Sequence, residues 1–116
     1  MAKVFVTQET NLDYSTAEKF GEVVFLSIDR KDDLNNVTNS EHNQRLLAHI
    51  THGLRHFDEA EDWLIITGSP YVNAAVFWLL GLEGCKTIRL LRWDNRDFHY
   101  IPLPLKLRPE TIDGNR

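Results

Sequence analysis

The chain holds a single cysteine, Cys85, in 116 residues. That excludes an internal disulfide and any zinc site built from several thiolates. No apolar run reaches the roughly 18 to 20 residues of a membrane-spanning helix, and the opening MAKVFVTQ turns polar too soon for a signal peptide. Charge of one sign is also scarce: 13 Lys and Arg stand against 17 Asp and Glu, a net charge of −4. A general nucleic-acid binder usually carries a basic face, so neither nucleic acid nor a membrane is an expected partner. Internal repeats and low-complexity segments are missing too. What remains reads as one domain over residues 1–105 with a tail over 106–116, large enough for a core without covalent staples. A soluble protein of a reducing cytoplasm is the expectation.

The stretch Asp62 to Gly81, DWLIITGSPYVNAAVFWLLG, organises the rest. Trp63 to Ile66 is a continuous apolar run, as a strand buried on both faces requires. Thr67-Gly68 breaks it. Ser69-Pro70 then reads as a helix N-cap followed by proline at the first helical position. From Tyr71 to Leu80 nearly every residue is apolar, which predicts a helix buried on most sides and closed by Gly81 or Gly84.

Around it, Lys3 to Thr7 reads as a central first strand and Gln8 to Ser15 as a polar loop. One helical turn over Thr16 to Phe20, ended by Gly21, precedes a second strand, Glu22 to Ile28. Asp29 to Ser40 is a long polar loop. Asn39 or Ser40 caps a helix to about Phe57, whose buried stripe is Leu46, Leu47, Ile50, Leu54 and Phe57. Lys86 to Trp93 is a fourth strand and Phe98 to Leu105 a fifth, returning antiparallel. Pro102 and Pro104 lie two apart, so their missing N–H groups face one side, which marks an edge strand. These elements predict an α/β fold: a small doubly wound, Rossmann-like sheet of order 2-1-3-4-5, mostly parallel with an antiparallel edge strand 5.

Two segments carry a resemblance. Asp13-Tyr14-Ser15-Thr16-Ala17-Glu18-Lys19-Phe20-Gly21-Glu22, and Ile66-Thr67-Gly68-Ser69-Pro70-Tyr71-Val72-Asn73-Ala74 after an apolar strand, resemble small bacteriophage-encoded α/β proteins with D-x-S-x-A-E-x-F-G and strand-[ST]-G-x-x-x-x-N segments. The resemblance implies a phage origin, a host cytoplasm and a shared fold, and no activity.

The strand order places a topological switch between strands one and three, where ligands of such sheets sit. The loops arriving there supply Thr7, Asn11, Asp13, Tyr14, Thr67, Gly68, Ser69 and Asn73 as the candidate ligand-binding residues. Free N–H groups and a helix dipole at the Gly68 turn suit a small anionic or nucleotide-like ligand. The alternative is a tight turn with nothing bound, for neither a P-loop nor a G-x-G-x-x-G fingerprint is present. Asp29 follows strand two, where a dinucleotide fold keeps its ribose carboxylate. Asn73 either holds the facing loop or meets a ligand. Asp13 is a base, a hydroxyl acceptor or a helix cap, and Tyr14 a stacking surface.

His42, His49, His52 and His56 fall on one helical stripe, better suited to a border or subunit contact than to a metal; no metal and no cofactor are expected. Trp78, Trp93, Phe98 and Tyr100 read as packing, and no nucleophile stands in a catalytic frame. The expected function is small-ligand binding, of a nucleotide or nucleotide-derived signal that a phage accessory protein sequesters or senses. A protein-interaction module or inhibitor of a host factor is the second reading, with a homo-oligomer within reach. A small nucleotide-cleaving enzyme is the third.

Overall fold

The computed structural model describes residues 1–28 and 32–106. Asp29 and the tail from residue 107 lie outside the described residues. β1 (Lys3–Val6), β2 (Glu22–Phe25), β3 (Trp63–Ile65), β4 (Thr87–Asp94) and β5 (His99–Lys106) form one sheet in the order β2-β1-β3-β4-β5. The pairs β1-β2, β1-β3 and β3-β4 are parallel, and β4-β5 is antiparallel. This is the α/β architecture and strand order that the sequence predicts. β1 is central because its β-branched and aromatic residues are buried on both faces: Val4, Phe5 and Val6 are at most 2% exposed.

Alternation along the strands divides the core in two. Phe5, Leu64 and Ile88 face α1 (Glu41–Gly53) and α2 (Pro70–Leu82), where they meet Ile50, Val76 and Leu80. Burial of each such side chain is worth roughly 1.5–3 kcal/mol. Val4, Val6, Ile65 and Leu91 point to the opposite face and pack with Tyr14, Ala17 and Tyr100. Among the described residues that face is covered by the 3-10 helix Ser15–Phe20, closed at Gly21, and the loop leading into it, so its cover is much thinner than the other.

Three expectations change. α1 stops at Gly53, not Phe57, because the chain tightens there: the Arg55 N–H donates to His52 O and the Phe57 N–H to Leu54 O. His56 therefore lies beyond the helix that carries His42, His49 and His52. Second, α2 is not buried on most sides. Tyr71, Trp78 and Leu82 are 68%, 69% and 64% exposed, since α2 lies on one sheet face: Val72, Val76 and Leu80 are buried, and half-buried Phe77 and Leu79 pack beside them. Gly84, with φ +86°, follows its end, and Gly81 sits within the helix. Third, β2 ends at Phe25, and only an isolated bridge pairs Ile28 with Glu9.

Asp62, read from sequence as part of an acidic connector, is buried. Its two carboxylate oxygens accept the N–H groups of Lys3 and Asp58, each at 2.8 Å, and so anchor the start of β1 to the approach to β3. No described helix is long and apolar enough to cross a membrane.

β5 is the sheet edge, with Pro102 opposite Leu91 and Pro104 opposite Arg89. Proline in a ladder keeps its missing N–H on the unpaired side, and here that side faces outward. Replacing both prolines with Thr restores two outward donors. The circular dichroism spectrum should stay unchanged while light scattering rises on standing. Equal scattering from both proteins would remove the protective role.

Candidate functional site

Two polar residues directly follow β1, and both are fully buried: Thr7 and Gln8. Groups in that position need partners. The Thr67 N–H donates to Thr7 Oγ1 at 3.0 Å, and the Thr7 hydroxyl donates to Asn73 Oδ1. Asn73 Nδ2 in turn donates to Thr67 O at 3.1 Å and Ser69 O at 2.8 Å. Gln8 Oε1 accepts the Ser69 N–H at 2.7 Å, and its amide nitrogen donates to Asp32 O.

Ser69 caps α2 as its sequence requires, accepting from the N–H groups of Tyr71 and Val72, and donates its hydroxyl to Asp33 at 2.7 Å. Of the predicted ligand-binding residues, Thr7, Thr67, Ser69 and Asn73 thus meet at the switch point, bonded to one another. Gly68, with φ +82°, lets the chain turn over Gln8: a Cβ there would lie 2.2 Å from Gln8 Oε1. Gln8 is the residue that sequence reasoning missed, having placed it in a polar loop. Its signal was its position, a polar residue continuing a strand at the end where the loops converge.

The other loop divides its residues differently. Tyr14 is buried in the thinner core, its ring edge-on to Phe25 and its hydroxyl 2.7 Å from Thr10 Oγ1. Asp13 is exposed and accepts the Ser15 N–H at 2.9 Å, an Asx turn at the start of the 3-10 helix. The Ser15 N–H, and then its hydroxyl, hold the Asp13 carboxyl below the usual carboxylate range. Asn11 stands exposed in the loop.

Asp13 and Thr67 also line a cleft of about 450 Å³. It exists because β3 and β4 share one register pair, Leu64 with Leu90, whereas β4 and β5 stay paired over eight. Beyond Leu90 the β4–β5 ribbon parts from β3. Ile65 and Ile66 form one wall, Leu91 and Trp93 the other, and Leu12 and Thr16 close the open face of the sheet. Tyr100, opposite Trp93 in the ribbon, packs edge-on to it at 5.0 Å between ring centroids.

Tyr100 is 4% exposed, and among the described residues its hydroxyl has no hydrogen-bond partner. Burial first, and then Tyr14 and Asp13, push its pKa up, so it keeps its proton and can donate. Arg92 stands exposed on the same lining. Elsewhere, burial first and then Glu59 and Glu83 push the Cys85 thiol up, away from the thiolate a nucleophile needs. Asp94, Asp97 and His99 bring ligand atoms within 4.8 Å of one another in the turn between β4 and β5.

The fold and cleft define a small α/β protein with a ligand-sized recess where its sheet opens. Compared with known proteins, the chain matches a family model over residues 2–107. It belongs to the family described as Phage Pam3 gp32-like protein, and is thus a phage protein. No curated protein and no solved structure matches it.

The Gly68 turn yields a stability test. Gly68→Ala places a side chain where φ is positive, which costs about 1–2 kcal/mol, and displaces Gln8 from Ser69. Chemical denaturation should show a loss of at least about 1 kcal/mol. An unchanged midpoint would show that Gln8 contributes little to holding the turn.

Proposed function

We propose that this phage protein binds a small ligand of nucleotide type, with the planar ring in the cleft between β3 and β4. The observation that carries the reading is Tyr100: a side chain 4% exposed, on the lining of a recess of about 450 Å³, whose protonated hydroxyl has no hydrogen-bond partner among the described residues. A buried donor left unpaired costs free energy, and a bound acceptor offsets that cost. The recess lies in the range of small-molecule sites, roughly 300–1,000 Å³. Its apolar walls with a few polar groups suit a heterocycle, which Trp93 can meet edge-on or face-on.

Asp13 and Thr67 offer an acceptor and a hydroxyl to the ring's polar edge, and Arg92 a cation to an anionic tail. The anion accordingly sits toward Arg92 rather than at the Gly68 turn, where Asp33 already brings a carboxylate to Ser69. Holding, not cleaving, is the reading. A carboxylate with a lowered pKa is a weak general base, and Asp13 is of that kind.

A thermal-shift series with nucleosides and nucleotides tests this. A ligand at a hundredfold excess over its Kd adds about 2.7 kcal/mol to stability. Tyr100→Phe should leave the free protein as stable or up to about 1 kcal/mol more so, while weakening the ligand by roughly five- to tenfold. Absence of any shift across the series, or equal shifts in the variant, rejects the site.

A further inference from the structure

α2 reads PYVNAAVFWLLGL, with no Asp, Glu, Lys, Arg or His in thirteen residues. Its buried stripe is Val72, Val76 and Leu80. At about 100° per residue, Asn73 and Phe77 fall to one side of that stripe, and Tyr71, Ala75, Trp78 and Leu82 to the other. Asn73 reaches Thr7 at the end of β1, and the second flank turns outward: Trp78 and Tyr71 lie about 160° and 140° around the helix from buried Val76. No described helix lies over β5 on this side. Leu103 packs against the core there, while Ile101 and Leu105 remain 38% and 39% exposed.

The outward flank of α2 is an apolar ledge in its own right. Tyr71, Trp78 and Leu82, each about two-thirds exposed, dominate it. It offers roughly 500 Å², toward the upper end of the apolar patches that single proteins leave open.

We propose that this ledge is the contact of a two-fold dimer of this chain. The spacing of the flank is symmetric: Tyr71, Ala75, Trp78 and Leu82 are separated by four, three and four positions. Two α2 helices packed antiparallel about a two-fold axis therefore set each Trp78 over Ala75 of the second copy, and each Tyr71 beside its Leu82. Large meets small at the centre, and the same residues serve both copies, as an isologous interface requires. Two ledges together reach about 1,000 Å², the size that a specific interface has to clear. The opposed helices also set their dipoles favourably. Each copy carries a net charge of −4, and the flank brings none of it into contact. This surface is separate from the cleft, so the dimer stands whether or not the ligand reading does.

Sedimentation of the full chain from low micromolar to submillimolar concentration tests it. The expected result is a reversible monomer–dimer equilibrium with twice the chain mass at the upper end. Trp78→Glu and, separately, Leu82→Arg should each weaken it by roughly a hundredfold, as loss of a central anchor does. Their far-UV spectra should match the parent, and their melting temperatures should match it at concentrations where the parent is monomeric, because both side chains lie outside the core. His49→Glu, exposed on α1, should leave the dimer intact. A parent that stays monomeric throughout, a dimer indifferent to both ledge variants, or one equally lost in His49→Glu overturns the proposal.

Discussion

A buried polar group has to be answered by another, and Thr7 with Gln8 imposes that demand where β1 ends. Both side chains are fully enclosed, and both are answered by the segment that links β3 to α2. The Thr67 N–H, the Asn73 amide and the Ser69 N–H are fixed in turn, so α2 starts at one place and one angle relative to the central strand. Ser27 joins the same junction, its hydroxyl donating to Thr7 O at 2.7 Å, which draws in the end of β2. Three loops meet through hydrogen bonds rather than through apolar contact. A half-satisfied version of such a network would be worse than an apolar one.

That completeness shapes where chemistry can occur. A helix start whose donors already face a serine cap, a glutamine carbonyl and a nearby carboxylate has little left to offer an anion. Among the described residues an unanswered donor lies elsewhere, in the Tyr100 hydroxyl, at a gap that the strand pairing itself creates. One fold therefore separates a stiff, saturated junction from an open recess. The loop before the 3-10 helix borders both, with Tyr14 turned into the core and Asp13 out to the cleft.

Most of the architecture was legible because it is written locally. The β-branched run at the start, the Ser69-Pro70 cap and the alternate prolines of β5 each state their role within a few residues. Strand order followed from the handedness of crossovers. What escaped depends on which elements end up side by side. Gln8 looks like any loop residue until Gly68 is placed over it. The apolar run of α2 suggests burial all round, yet a helix laid on one sheet face has no described element on its outer flank. Trp93 and Tyr100 read as packing, and they do pack; that one hydroxyl lacks a partner among the described residues is invisible without coordinates. The end of α1 was overrun because Leu54 and Phe57 keep the helical spacing in a tightening, non-helical turn.

The uneven strand pairing has a consequence for motion. β4 and β5 are bound to each other along their whole length, and to the rest of the sheet by a short parallel seam beside β3. Parallel seams are the weaker kind. The hairpin is thus a leaf joined to β3 by a narrow backbone seam, while Ile88 and Leu90 in one core and Leu91 and Tyr100 in the other anchor it by side chains. Amide protons of the β3–β4 seam should exchange with solvent sooner than those within the hairpin, and each such excursion widens the recess without disturbing the saturated junction. Entry to the recess, in that view, is a matter of how often the leaf lifts.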